Sequence, residues 1–565
     1  MKKLTKFLTI LLCGVMLLGL TACGGKSGQD CYFEAITYEG INTISDIDKY
    51  AGEVAIFGEN NHNPVENGVI ISPYYTLKVG ETEVPVYASR SAHGIHSFAF
   101  LDVIDTGDEG FNLNVEITGN ENTTVFKPKK AKCVVLPEST GVEAELNRDD
   151  KTVKATIKTF GSYSFTFNES HEQPLTIMVY EKQDLDALFN DYTIKNIPVG
   201  DYSVTGDITK TIFTAENTVY YFGAGRYKVQ EIVMPSNSVL YIAPGAYIEV
   251  IPSRVEHTDG SRVWYDRDET ISVNEKENVT IAGRGIFDYS ACSGSTVDYW
   301  YTNDKDTFIF TGSKNVKVLG LTAINSQHWT LCMYSCENIQ IKNVFFMAYK
   351  MYADGVMLSN CRNAVVEDSF IRTGDDAFET KSARASEMLT DNILFQNNAA
   401  WTDKANAYGC IYECYNDTRN VTFKNCSVGF ALGTWSDHLG SCIIQLGQQF
   451  NAGRVTENIT FENIEIYYSK NKAILNCYIG GTGGTSDGAG TIQNIYFKDI
   501  KAKINMGQVL NVQTYDNEDC FINDLYLDNI QSNDIEITSS NIGDYLRDKV
   551  VGGYNLNKLH INTRG

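Results

Sequence analysis

The chain reads as an all-β protein, a right-handed parallel β-helix preceded by an N-terminal antiparallel β-sandwich. Three observations carry that expectation. A short pattern, Asn followed by Ile or Val and then alternating apolar positions, recurs from about residue 270. The stretches between recurrences hold no helical periodicity. Residues 31–195 instead carry short alternating segments at irregular distances, divided by polar turns.

The N-terminus comes first. MKKLTKFLTILLCGVMLLGLTACGG has a positive start at Lys2, Lys3 and Lys6, an apolar run from Phe7 to Leu20, and LTAC ending in Cys23. That order is a secretory signal, and it resembles the lipobox of bacterial lipoproteins. The apolar run falls short of the ~20 residues that cross a bilayer. The resemblance implies a signal peptide at 1–22, a lipid on Cys23, a tether over 23–30, and a protein on the outer face of a bacterial membrane or secreted. The membrane would then be contacted through the lipid alone. With 47 basic and 70 acidic residues the formal net charge is −23, which argues against nucleic acid as a partner, since phosphates demand a basic surface. A chain of 565 residues exceeds what one compact core usually holds. Its 14 cysteines show no CxxC pair and no zinc-finger spacing, so they read as buried packing residues, and no disulfide is assigned.

Residues 31–195 contain NGVIISPYYTLKV, TEVPVYASR, SFAFLDVI, FNLNVEITG, TVKATIKTF, SYSFTFN and PLTIMVYE. Many short strands with turn signals between them indicate an antiparallel sandwich. YEKQDLDALFNDYTIKNIP reads as the connector into the second domain, 196–565.

That domain holds the repeat. Its Asn residues stand at 278, 315, 338, 363, 392, 420, 458 and 494. The tightest spacings, from Asn315 to Asn338 and on to Asn363, set a period near the ~22 residues of one β-helix coil, and longer spacings are insertions into it. A propeller blade would need about 40 residues per repeat. Recurrent Asn fits a β-helix, because Asn tolerates a left-handed turn and its amides can ladder from coil to coil.

Within the repeat stands YADGVMLSNCRNAVVEDSFIRTGDDAFETKS (352–382). Asp354 precedes Asp375 by 21 residues, close to one coil, which places these two on one face of neighbouring coils, roughly 4.8 Å apart, while a bend after Thr373 and Gly374 would present Asp376 beside them. Like charges that close cannot all ionise cheaply, so at least one pKa rises. Raised and ordinary carboxyls side by side are what acid/base hydrolysis of a glycosidic bond requires.

The combination of DG, one coil, then GDD with Lys381 after it resembles glycoside hydrolase family 28, the polygalacturonases, whose pattern is Asn-Thr-Asp and then Gly-Asp-Asp. GRGIFD (283–288) and NSQHWT (325–330) are similar to coils of that clan. The sandwich-plus-helix layout is more like family 49, the dextranases and isopullulanases. The similarity covers about residues 150–520. It implies an inverting glycoside hydrolase with Asp375 as the acid that protonates the leaving oxygen. Asp354 and Asp376 would be the pair that holds and activates water, with about 6.5–9.5 Å between acid and base. No cofactor or metal is implied.

The departures bear on substrate. Polygalacturonases carry Gly-His-Gly one coil later and then Arg-x-Lys, which grips the sugar carboxylate. Here NAAWTDKANAYGCIYECY (398–415) lacks the His, and no Arg-x-Lys follows near 420–450. A galacturonate needs a cation to pair with its carboxylate, so a neutral polysaccharide or oligosaccharide is the expected substrate. Sugar rings pack on aromatic faces, which makes Trp329, Tyr352, Trp401 and Tyr408 candidate substrate contacts, with Tyr349 beside them. Lys381, Lys350, His328 and Glu413 are candidate polar contacts. A polygalacturonase, a polysaccharide lyase that needs Ca²⁺-binding acids and a basic group, and a non-catalytic glycan-binding lipoprotein stand as alternatives.

Overall fold

The computed structural model describes residues 25–26, 32–38, 41, 68–120, 124–202, 212–251, 256–258, 263–265, 268–292, 305–350, 352–384, 387–432, 442–448, 453–469, 473–480, 489–503, 508–514, 519–550 and 556–562. The signal peptide and Cys23 lie outside the described residues. Of the expected tether, Gly25–Lys26 pairs antiparallel with Tyr32–Ala35 and so extends a sheet instead of hanging free. Among the described residues no helix is long and apolar enough to cross a membrane.

The N-terminal part packs two sheets face to face. One contains the long strand Gly94–Asp105 and the hairpin Gly161–Phe167/Leu175–Glu181; the other is built on Tyr75–Val79, Phe111–Ile117 and Thr152–Ile157. Phe111–Ile117 reads BeBiBeB in burial, the period-2 alternation of a strand with one face on a core. Val79, Leu101, Leu113, Val115, Phe165 and Ile177 fill the space between the sheets. One pairing departs from a purely antiparallel sandwich, because Leu175–Glu181 runs parallel to Gly94–Asp105.

Among the described residues from Thr193 onward the ladders between successive coils are parallel, and antiparallel pairing occurs in two hairpins, Glu256–Thr258 with Val263–Tyr265 and Gln531–Ser532 with Ile535–Glu536. A 22-stranded sheet forms two walls of the helix and an 11-stranded sheet forms the third. Inside, like residues stack on like. Phe395, Phe423, Phe461 and Phe497 lie ring on ring with centroids 4.6, 4.7 and 5.4 Å apart. Outside, the recurrent Asn residues all have positive φ, from 53 to 59°, the conformation Asn adopts more readily than most residues. Their amides ladder: Asn315 donates to Asn278 at 3.0 Å and Asn338 to Asn315 at 3.0 Å. At Asn420 the ladder steps sideways and bonds Asp391 at 2.7 Å.

The sandwich docks on one wall of the 22-stranded sheet. Tyr87, Phe98, Phe100 and Tyr180 meet Phe345, Phe370, Trp401 and Phe430 in one apolar cluster. Two buried ion pairs cross or brace this seam. Arg284, the Arg of GRGIFD, reaches Asp102 at 2.7 Å, and Arg372 meets Asp403 at 2.9 and 3.2 Å. Each guanidinium has further acceptors, Glu181 O for Arg284 and His171 O for Arg372, as buried charges require.

Candidate active site

The 11-stranded sheet carries the site, and its register explains how. Strands Leu331–Tyr334, Val356–Ser359, Phe378–Ser382 and Tyr408–Cys414 stack in parallel, with Leu331 opposite Val356, Val356 opposite Phe378 and Phe378 opposite Tyr408. Those four side chains point inward to the core. Alternation then sends the next residue outward, so Ile309, Cys332, Met357 and Glu379 form one outer column that continues through Gly409 to Gln445.

Just before each strand the coils approach closely. Gly355 N–H donates to Asp376 O at 2.8 Å, and Thr330 N–H donates to Asp354 O at 2.9 Å. The Cα offset between these strands is 22 residues, so it is Asp376, and not Asp375 as the 21-residue spacing suggested, that stands level with Asp354, and Asp375 sits one residue off that column. The glycines permit this. A Cβ on Gly355 would lie 2.3 Å from Ala377 O, and one on Gly374 2.1 Å from Lys350 O. This is the physical content of DG and GDD in the sequence.

All three aspartates are buried, with Asp375 at 9 % the most accessible. Tyr352 N–H donates to Asp375 Oδ2 at 3.0 Å. Asp376 Oδ1 accepts from Asn406 N–H at 2.9 Å and from Asn406 Nδ2 at 2.7 Å. Lys381 Nζ stands among four carboxyls, 3.3 Å from Glu379, 3.5 Å from Asp354 and 3.5 Å from Glu413, with Asp376 also acting on it. One carboxyl oxygen from each of Asp354, Asp376 and Glu379 lies within 4.8 Å of the other two. A divalent cation could be shared at that spacing, but the Lys381 ammonium already supplies the positive charge there, so this donor set does not fit a metal.

The charges follow from that packing. Burial, then Glu379, hold the Asp354 carboxyl well above the ordinary range. Burial, then Asp354 and Asp376, do the same to Asp375. Asp376 is raised by burial against the pull of Lys381 and Asn406. Glu379 is pushed up to about 8, chiefly by burial. Burial opposes the charge on Lys381, yet Glu379, Glu413 and Asp354 keep it protonated well above its usual value.

Trp329 lies beside this cluster, its ring 5.5 Å from Lys381 Nζ and 4.6 Å from the His328 ring. Tyr352, with φ of 69°, closes over Asp375 through its N–H. Tyr349 sits under the Arg90 guanidinium of the sandwich at 4.5 Å, with Lys350 Nζ 5.8 Å from the same ring. Two of the aromatic expectations are corrected. Trp401 is buried in the seam against His96 and Phe370. Tyr408 is an inward residue of its strand, stacked on Phe378, its hydroxyl donating to Asn398 O and Ser427 O. Neither ring faces the aspartates. Asn406 and Glu379 were missed by the sequence reading. Glu379 had a signal, since in FETKS it shares the outward face with Lys381.

A family model described as glycosyl hydrolases family 28 matches residues 249–545, more than half of the chain and the whole of this site. The chain belongs to glycosyl hydrolases family 28. Among curated relatives, it is similar to an exopolygalacturonase from Arabidopsis thaliana, 27% identical over 201 residues, covering 34% of this chain and 43% of that protein. It is also similar to a probable exopolygalacturonase B from Aspergillus fumigatus, 23% identical over 246 residues, covering 40% and 51%. The chain thus spans about half the length of these curated relatives. Among solved structures, Dex49A from Penicillium minioluteum matches over 94% of this chain and 98% of its own with a TM-score of 0.60 at 13% identity, a likeness of fold. The glycoside hydrolase class expected from the sequence is that of family 28.

Proposed function

We propose that this family 28 protein hydrolyses glycosidic bonds of a neutral polysaccharide or oligosaccharide with inversion. The observation that carries the reading is the engagement of Lys381. Its ammonium is already shared by Asp354, Glu379 and Glu413 within 3.5 Å, so it has no charge to spare for a sugar carboxylate, and the two glutamates beside it repel one. Asp375 is the acid, the role the family resemblance gives it, and burial beside Asp354 and Asp376 raises its pKa in the direction a proton donor to the leaving oxygen needs. Asp354 and Asp376, held by Lys381 and Asn406, activate the attacking water. Trp329 and Tyr352 are the aromatic groups near enough to pack on the sugar.

The experiment is a panel of neutral and uronate glycans followed by three variants on the best substrate. Asp375→Asn should lower turnover by about 10²–10⁴-fold, and an activated aryl leaving group should recover much of it. Asp354→Asn and Asp376→Asn should stay poor on both. Wild-type turnover in all three would overturn the reading, and a first product of retained anomeric configuration would overturn the inverting mechanism.

A second reading, hydrolysis of a uronate polymer, draws on Arg90 and Lys350 at Tyr349, one coil before Asp375, and on the printed names of the exopolygalacturonase relatives. Faster turnover of oligogalacturonate than of any neutral glycan would favour it. For location we propose a lipid anchor on Cys23, which full membrane attachment of a Cys23→Ala variant would refute.

A further inference from the structure

We propose that the edge of the sandwich–helix seam away from the cleft holds a second, non-catalytic binding site for a neutral glycan. The strand Ala399–Thr402 crosses the docked wall. After it, at the cleft, comes Asn406, which bonds Asp376. Before it, at the other edge, Asn397 borders a cavity of about 290 Å³. Ser139, Phe160 and Tyr163 of the sandwich form one side of that cavity, and Asn397, Asn425 and Glu465 of the helix form the other. Its volume is just under the ~300 Å³ at which small-molecule sites begin, enough for a short stretch of sugar chain. The acid/base chemistry of the cleft uses none of these residues.

The chemistry of the walls selects the ligand. Asn397, Asn425 and Asn463 occupy equivalent turns of three successive coils, since Gln396 pairs with Lys424 and Lys424 with Glu462. Each gives one amide hydrogen to a ladder, bonding Asp368 at 3.1 Å, Asn397 at 3.4 Å and Asn425 at 2.8 Å respectively. A side-chain amide carries two donors, so every coil has a second N–H to offer, one about every 4.8 Å along the helix axis. Asp368 and Glu465 add acceptors for sugar hydroxyls, and such bonds to a carboxylate are the stronger kind. Phe160, 43 % exposed, supplies an apolar ring on which the face of a sugar can pack. Among the described residues lining the cavity there is no Lys, Arg or His. Lys342, which reaches Asp368 at 3.3 Å, is shared with Glu367 at 3.9 Å. Two carboxylates without a cation in the lining repel a uronate or a phosphate, which leaves an uncharged, hydroxyl-rich chain. The two sides are also fixed in place beforehand: Ser139 N–H donates to Glu465 Oε2 at 3.2 Å, and Glu138 N–H donates to the Tyr467 hydroxyl. Little ordering is then lost on binding.

The test uses the full-length chain carrying Asp375→Asn and Trp329→Ala, changes that suppress turnover and remove an aromatic contact of the cleft. It is run in native gels containing dextran, pullulan, galactan or polygalacturonate. At least one neutral polymer should retard this parent, and polygalacturonate should not. Adding Phe160→Ala should raise the dissociation constant for the retarding polymer about fivefold or more. Phe160→Trp, which keeps a ring, should hold it near the parent value. Because Phe160 lies at the surface, the unfolding temperatures of all three chains should agree, which separates lost binding from lost structure. Absence of retardation by every neutral polymer would overturn the proposal, as would equal retardation of the parent and the Phe160→Ala chain. Stronger retention by polygalacturonate than by the neutral polymers would overturn it too. These gels read binding away from the cleft, so their outcome is separate from the hydrolytic reading, which the single variants of Asp354, Asp375 and Asp376 test by turnover.

Discussion

Asp354, Asp375, Asp376 and Glu379 are each held above their ordinary range chiefly by burial, which ties the stability of the protein to pH. A carboxyl whose pKa is higher folded than unfolded favours the folded state below its unfolded pKa, and loses that contribution as pH rises through its folded value. For Glu379 the window runs from 4.5 to about 8. Thermal unfolding should therefore shift to lower temperature between about pH 5 and about pH 8. Asp375→Asn removes one of the crowded acids, so at the upper end it should be more stable than wild type by about 1 kcal/mol or more. Calorimetry at both pH values is the check, and an Asp375→Asn variant less stable than wild type at pH 8 would contradict this account. The aspartates were legible in the sequence because a coil-length spacing within a repeat is a statement about distance. Which aspartate stands level with Asp354 was not, since a spacing of 21 or 22 residues differs by one position and only the ladder register decides it.

At the scale of an element, the asparagine ladder shows how much one turn residue contributes. Asn315 adopts φ of 54° and bonds to Asn278 below and Asn338 above. Asn315→Ala should cost about 2 kcal/mol, roughly half from the left-handed backbone and half from the lost amide bonds. Asn315→Gly keeps the backbone at ease and should cost about 1 kcal/mol. Urea unfolding distinguishes them, and an Ala variant at least as stable as the Gly variant would sink the explanation. This ladder could be read from the repeat. A second one, in which Asn397 bonds Asp368, Asn425 bonds Asn397 and Asn463 bonds Asn425, was hidden because Asp368 takes the place of an Asn in it. Inward and outward positions were harder still. Trp401 and Tyr408 lie near the aspartates in sequence, but face the seam and the core because of strand phase and the docked sandwich.

For the whole molecule, the sandwich covers an apolar wall. Removing it would expose Phe345, Phe370, Trp401 and Phe430 together, a contiguous patch of the kind soluble monomers seldom show. A chain beginning at Thr193 should accumulate as aggregate where the full-length protein is soluble. Soluble, monomeric expression of that piece would show that the seam is dispensable. The two-part architecture was readable from the change in strand spacing. The seam was not, because Arg372, Asp403, Asp102 and Arg284 are far apart in sequence and each looks like an ordinary surface charge until its partner is known.

The close approach of Gly355 to the Asp376 carbonyl has a consequence for how this protein can diverge. Because Asp354 and Asp376 are level only at an offset of 22 residues, losing or gaining one residue between them would rotate every later side chain of that coil to the opposite face. Asp376 would leave the cleft and Phe378 would leave the core at the same step. Substitutions in this coil can be sampled one at a time, whereas changes of length there have no viable first step. Length variation in related chains should therefore collect in the other coils, and an insertion between Gly355 and Asp376 should mark a relative that has abandoned this chemistry.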